Sequence, residues 1–157
     1  MTAKRFGRFL LALAALAACL FAPAAAEGGA QTEPYRFETP ASFGDSVLAK
    51  LGYAYADCYV VCTVGERVYI VPMTAEGDLT LNQGNGVSNT FHVTRDSMVM
   101  TSATCENQDC VREGAVTAEN RGKRVLGNMI VCLPHGVTLE LYTYEELEAL
   151  LEAAYAG

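Results

Sequence analysis

The sequence is poor in the groups that most enzymes use for proton transfer. It contains only two histidines, His92 and His135, and no spacing of serine, histidine and aspartate resembles a hydrolase triad. It also lacks a Gly-x-Gly-x-x-Gly or phosphate-loop pattern. Adjacent acids such as Glu145 and Glu146 are typical of a solvated helix face. We therefore expect a protein that is not an enzyme.

Basic residues are scarce as well. The 157 residues include 11 Lys and Arg against 18 Asp and Glu, which gives a formal net charge of −7. Nucleic-acid affinity depends on Lys and Arg that neutralise phosphates, so this balance argues against a nucleic-acid partner and against unaided adhesion to an anionic membrane. The chain is 51% hydrophobic and 18% charged, which is typical of one globular domain at this length.

No apolar run is long enough for a relaxed membrane-spanning helix, but the N-terminus carries a shorter one. Basic residues precede an apolar run at 9–22, which ends in small residues up to Ala26. This layout predicts a signal peptide over residues 1–26. Cleavage there removes three basic residues and no acidic ones, so the net charge moves from −7 to −10. We expect a secreted or cell-envelope protein outside the cytoplasm.

Two alternatives to cleavage after Ala26 stay open. The stretch Leu16-Ala17-Ala18-Cys19 fits the lipobox of bacterial lipoproteins, in which Cys19 becomes the lipidated first residue. The other alternative is an uncleaved segment that anchors the chain. Membrane attachment is therefore expected only through a lipid anchor or an uncleaved signal segment.

The mature chain reads as a tether followed by a β-rich domain. Residues 27–41 contain Gly and Pro without apolar periodicity, which predicts a flexible tether to one domain over 42–157. A short helix is expected from Asp45 to Gly52. Runs of β-branched and aromatic residues then predict two hairpins, several further strands and one loop. The predicted strands are 57–64 with 67–72, 79–81, 90–94 with 97–103, 115–117, 128–133 and 137–142, and the loop is 82–86.

The C-terminal segment changes to helical periodicity. Apolar residues recur on one face and glutamates occupy the other: Tyr144, Leu147, Leu150, Leu151 and Ala154 against Glu145, Glu146, Glu148 and Glu152. Thr143 with Glu146 three residues later forms a capping-box pattern. The sequence thus predicts a mainly β fold, a small antiparallel sandwich or barrel-like domain with a C-terminal amphipathic helix.

Three thiols and an imidazole come together in the second half of the sequence: Cys105, Cys110, Cys132 and His135. We expect the three sulfurs to lie close together, and three uses of them stay open. One is a structural disulfide, which exported proteins form readily and which needs no cofactor. Another is a thiol pair that cycles between redox states, and the third is a Cys3His site for zinc.

Cys58 and Cys62 are a separate pair on one face of a predicted strand. On an extended chain they lie about 13 Å apart, which is too far for a disulfide between them. We expect both to be small buried hydrophobic residues.

Two segments of the sequence, Thr104–Gly114 and Met129–His135, resemble a known pattern. They are similar to the NusG domain II family of small exported or membrane-tethered bacterial proteins, and the resemblance runs from about Arg67 to Tyr142. Residues 42–66 and the last helix lie outside it. The positions that match the family pattern are Cys105, Cys110, Gly114, Cys132, Pro134 and His135.

The resemblance implies a compact β-sandwich or barrel-like domain and no established catalytic residue. The family is named after an insert domain of a transcription elongation factor, but the acidic, exported character of this chain argues against transcription. Family members resemble accessory parts of envelope redox or flavin-linked systems. The expected function is a non-catalytic binding or accessory module of the cell envelope or the secreted fraction. Its ligand is undefined, and its partner is expected to be an envelope protein.

Overall fold

The computed structural model describes residues 33–156, which form two open, four-stranded antiparallel sheets and a C-terminal helix. The predicted signal peptide and Cys19 lie outside the described residues. The strands are β1 (Cys58–Val64), β2 (Arg67–Pro72), β3 (Gly77–Gly84), β4 (Val87–Val93), β5 (Ser97–Ala103), β6 (Val116–Thr117), β7 (Met129–Cys132) and β8 (Val137–Thr143). The α-helices are α1 (Val47–Lys50), α2 (Asp109–Arg112) and α3 (Tyr144–Tyr155), and 3-10 turns cover Ala41–Asp45 and Arg121–Lys123.

Each sheet is built from neighbouring hairpins. The first sheet has the order β2-β1-β8-β7, and the second has the order β3-β4-β5-β6. Strand β7 is an edge strand that pairs only with β8, whereas β1 lies in the interior of its sheet. The predicted mainly β fold is confirmed, and because neither sheet closes on itself the fold is compatible with a sandwich.

One apolar core contains the inward faces of both sheets. In β8 the alternation is strict, since Val137, Leu139 and Leu141 are fully buried while the residues between them are partly exposed. The second sheet contributes residues such as Phe91 and Met98 to the same core. Fully burying a side chain of this size stabilises the fold by about 1.5–3 kcal/mol. These strands are therefore fixed by period-two patterning that the sequence displays.

A second apolar cluster lies where α3 packs beside α1 and β1. Its buried members include Leu48, Tyr59, Leu147 and Leu151. The Thr143 hydroxyl caps α3, and the full capping box with Glu146 is present, as predicted. In α1 the cap is Ser46, whose side chain accepts from the Ala49 N–H, so this helix begins at Val47, two residues after the predicted Asp45 start.

Two residues of α3 lie on faces that the periodicity did not predict. Glu148, expected on the solvated face, is only 9% exposed and accepts hydrogen bonds from the backbone N–H groups of Val47 and Leu48. Leu150, expected in the apolar stripe, is 51% exposed. The buried face is therefore rotated toward α1, because Ser46 accepts only the Ala49 N–H and Glu148 accepts the N–H groups of Val47 and Leu48.

Two predicted irregular segments are more ordered than expected. Part of the predicted loop 82–86 belongs to β3, and only Asn85 and Gly86 form the turn. The predicted tether has no regular secondary structure at 33–40, but it is attached to the domain. The Tyr35 N–H donates to the Thr74 carbonyl at 2.8 Å, and the Arg95 guanidinium lies 4.9 Å from the Phe37 ring centre.

Candidate functional site

The structure brings three buried cysteines together from three segments. Cys105 follows β5 of the second sheet, Cys110 lies in α2, and Cys132 ends β7 of the first sheet. Their sulfurs all lie within 4.8 Å of one another, and the Cys105 and Cys110 sulfurs are 3.7 Å apart. All three side chains are at most 5% exposed. This three-cysteine cluster therefore joins the first sheet to the segment that connects β5 and β6 of the second.

A glutamine side chain folds the segment between the first two cysteines. Gln108 has a left-handed backbone with φ 53°, and its Nε2 donates to the Ala103 carbonyl at 2.7 Å and to the Cys105 carbonyl. The same nitrogen lies 3.8 Å from the Cys105 sulfur. Gly114, with φ 74°, follows α2 in a conformation that favours glycine. The two residues set the turns on either side of Cys110.

Two side chains hold β7 beside this segment. The Glu113 carboxylate accepts the Val131 N–H at 3.1 and 3.3 Å, which satisfies a donor on the open edge of β7. The Arg124 guanidinium donates to the Glu113 carbonyl at 2.9 Å and to the Met129 carbonyl at 2.9 Å. These contacts place the end of α2 against β7 and so bring Cys110 toward Cys132.

A buried asparagine lies beside the Cys132 sulfur. Asn89 of β4 is fully buried, and its side chain is among the groups that influence the pKa of the Cys132 thiol. Its Nδ2 also lies 3.7 Å from the Met100 sulfur, and its Oδ1 is 2.6 Å from Nδ1 of His135. An amide oxygen can only accept, so Nδ1 of His135 carries the proton. His135 thus orients the Asn89 amide, and the Asn89 Nδ2 faces the Met100 sulfur.

The hydrogen bonds make the cysteines chemically unequal. Burial raises the pKa of Cys132, but hydrogen bonds from Asn89, from the His135 backbone N–H and from the two other thiols outweigh it and leave the pKa below its ordinary value. Burial, followed by hydrogen bonds with Cys132 and Cys105, raises the pKa of Cys110 to about 12. Of these two thiols, Cys132 therefore carries negative charge more readily than Cys110.

The remaining predicted site residues lie around or away from the cluster. The ring of His135 is not among the ligand atoms within 4.8 Å in this group, so the geometry brings together three sulfurs without the imidazole of the predicted Cys3His set. Pro134 is exposed in the turn between β7 and β8. Cys58 and Cys62 are buried in the core, where burial raises their pKa to about 11 and about 12, and their prediction as packed apolar residues is confirmed.

Sequence reasoning missed Asn89, although the pattern held a signal for it. In β4 the residues Asn89, Phe91 and Val93 alternate and are all buried. A polar side chain at an inward position of a strand needs a buried partner, because an unpaired one is costly. The predicted strand began at Thr90, one residue too late to include it.

An open groove lies elsewhere, between α3 and the loop around Arg121, and it includes Asn128 and Tyr142. Arg121 lines this groove, and its guanidinium donates to both carboxylate oxygens of Glu146, one of them at 2.8 Å. The charge of Arg121 is therefore neutralised by Glu146. Within residues 33–156 no helix combines the length and the hydropathy needed to cross a membrane.

Comparison with known proteins identifies one family. A family model described as NusG domain II matches residues 46–145, so the match begins at residue 46 rather than near Arg67 and includes β1, which the sequence resemblance had placed outside. No curated protein matches the chain.

Among solved structures, a DUF1312 family protein from Enterococcus faecalis V583 is 19% identical, with a TM-score of 0.48 over 55% of this chain and 98% of that one. The Lin0431 protein from Listeria innocua is 19% identical, with a TM-score of 0.46 over 55% and 97%. A DUF1312 family protein from Ruminococcus gnavus ATCC 29149 is 27% identical, with a TM-score of 0.38 over 54% and 96%.

Proposed function

This chain belongs to the NusG domain II family, and from its geometry we propose that it is an exported, non-catalytic accessory module in which the three-cysteine cluster fastens the two sheets. The observation that carries the proposal is the position of the sulfurs. Cys132 belongs to the edge strand of one sheet, Cys105 lies between strands β5 and β6 of the other, and the sulfurs lie within 4.8 Å. A bond through these sulfurs holds β7 against the segment after β5.

Export is supported by the N-terminal sequence. The basic residues, the apolar run and the Ala-x-Ala ending are the layout of a signal peptide, and the lipobox at Cys19 is the alternative route to the envelope. The acidic mature chain repels phosphate-rich partners, so the proposed partner is another protein of the envelope.

The intact mass of the protein from its native host tests both parts. We expect a chain that begins at Glu27, or at an acylated Cys19, and cluster cysteines that resist alkylation until the protein is unfolded and either reduced or stripped of metal. Cys58 and Cys62 serve as internal controls for burial alone. A chain that begins at Met1 in the cytosol contradicts export. Equal alkylation of Cys105, Cys110 and Cys132 in the folded and unfolded protein contradicts a closed cluster.

A redox role is the second candidate, and the N–H donors around Cys132 favour it. In this reaction the Cys132 thiolate attacks a disulfide of a partner protein, forms a mixed disulfide and releases one partner thiol. Cys110 or Cys105 then attacks Cys132, which closes an internal disulfide and releases the second partner thiol. One disulfide is thus reduced for each one formed.

Trapping tests the redox role. In a Cys105→Ser and Cys110→Ser double variant, the mixed disulfide between Cys132 and a small disulfide such as oxidised glutathione should accumulate. The matched control is Cys132→Ser, which should trap none. A mixed disulfide that forms no faster than at the buried Cys62 contradicts this candidate.

A further inference from the structure

The three sulfurs of the cluster have the spacing of ligands that share one ion. Sulfurs bound to a common metal at about 2.3 Å lie roughly 3.8–4.0 Å from one another. The Cys105 and Cys110 sulfurs are 3.7 Å apart, and all three pairs lie within 4.8 Å. A disulfide uses two sulfurs and leaves the third without a bond, whereas an ion uses all three. The compact triangle therefore fits a shared ion better than a single bridge.

The surroundings of the sulfurs suit thiolates bound to a metal. The Gln108 amide nitrogen lies 3.8 Å from the Cys105 sulfur, and the Asn89 amide beside the cluster is fully buried. Such donors stabilise charge on coordinated ligands and fix their orientation. Asn89 is held in turn by Nδ1 of His135 at 2.6 Å. His135 therefore contacts Asn89 and supplies no ligand atom to the group of sulfurs.

The ligand set indicates which ion fits. Structural zinc is almost always bound by four ligands, and in residues 33–156 no fourth His, Cys, Asp or Glu atom joins this group. Thiolate and thioether sulfur select soft ions such as Cu(I). The Met100 thioether, a further soft sulfur, lies 3.7 Å from the Asn89 amide nitrogen. A buried, all-sulfur environment of low coordination number matches Cu(I).

We propose that Cys105, Cys110 and Cys132 bind one Cu(I) ion, with Asn89 as a positioning residue. This inference rests on the proposed fastening role of the cluster and names the ion that would supply it. The ion would bridge the end of β7 to the segment after β5 without any covalent or redox step.

Anaerobic titration of the reduced mature chain with Cu(I), against a competing chelator of known affinity, tests the site. We expect one equivalent to bind with sulfur-to-copper absorption in the near ultraviolet. Each of Cys105→Ser, Cys110→Ser and Cys132→Ser should abolish this band, while Cys62→Ser, a buried cysteine outside the cluster, should keep it. Circular dichroism of each variant establishes that it is folded.

Asn89→Ala tests the positioning role. It should weaken Cu(I) binding by about 10- to 100-fold and shift the absorption band, which a purely structural residue would not do. Thr90→Ala, on the opposite face of β4, is the matched control and should leave both unchanged.

Three results overturn the copper site. They are no Cu(I) binding by the folded, reduced chain, a band that survives all three cluster substitutions, and a 1:1 zinc complex that Cu(I) does not displace. In each case the fastening role is still judged separately, because its test measures the alkylation of the cluster cysteines in the protein from its native host and needs no added copper.

Discussion

The Glu148 carboxylate accepts the backbone N–H of Val47 at 2.5 Å, from a residue 101 positions earlier in the chain. It also accepts the Leu48 N–H at 3.2 Å, so one side chain of α3 satisfies two donors at the start of α1. The short N-terminal helix is therefore attached to the C-terminal helix by a charged cap as well as by apolar packing.

Removing this cap should destabilise the protein, although the sequence pattern placed Glu148 on the polar face of α3. Glu148→Ala leaves two N–H groups without an acceptor, and we expect a loss of about 1.5–3 kcal/mol in the free energy of unfolding. Urea denaturation measures it. Glu152→Ala, on an exposed position of the same helix, is the control and should change stability by less than about 0.5 kcal/mol. Equal effects of the two substitutions would mean that the cap contributes nothing.

The apolar side of α3 gives a second contrast. Leu147 and Leu151 are at most 5% exposed, so replacing either by Ala should cost about 2–4 kcal/mol through lost burial and a cavity. Leu150→Ala is the matched control, because Leu150 is 51% exposed and should cost far less. Thermal unfolding of the three variants compares them, and three similar shifts would show that the helix does not pack as described.

Glu146 predicts a pH dependence. The hydrogen bond from Arg121 is the largest influence on Glu146 and lowers the pKa of this carboxyl in the folded protein. A lowered pKa gives stability that is present above the ordinary value near 4.5 and is lost as the pH falls through the folded value. Both partners are partly exposed, so we expect at most about 1 kcal/mol.

The stability difference between the wild type and Glu146→Gln should therefore be present at neutral pH and shrink as the pH falls below about 4.5. Glu145→Gln is the control in the same helical turn, and its difference should be smaller at neutral pH. A stability difference between the wild type and Glu146→Gln that grows as the pH falls would have the opposite pH dependence and would contradict the ion pair.

The sequence predicted best those elements whose residue pattern depends only on residues close in the chain. The strands β1, β2 and β8 and the capping box of α3 were all visible, because alternation and capping depend on residues close in the chain. The face of Glu148 and the attachment of Phe37 were not visible, since each depends on a partner distant in sequence. Residues such as Asn82 also have loop-forming character on their own, but pairing with β4 draws them into a strand.

The candidate site divides in the same way. The three cysteines were named from their spacing, and the structure adds the side chains that orient them. Asn89 and Gln108 act through contacts between the second sheet and the segments after β5 and β7. Strand pairing and turn geometry decide those contacts, and the spacing of the cysteines predicts neither.

The central claim is that Cys132 of the first sheet and Cys105, which follows β5 of the second sheet, act as one unit. A double-mutant cycle on the mature chain, with Cys105→Ala and Cys132→Ala measured by urea unfolding, tests it most directly. We expect the two losses to be non-additive by about 1 kcal/mol or more, because the first substitution already opens the cluster. The control cycle pairs Cys132→Ala with Cys62→Ala, two strands away across the first sheet, and should be additive within about 0.5 kcal/mol. Additivity of the Cys105 and Cys132 substitutions within that same limit would contradict the account.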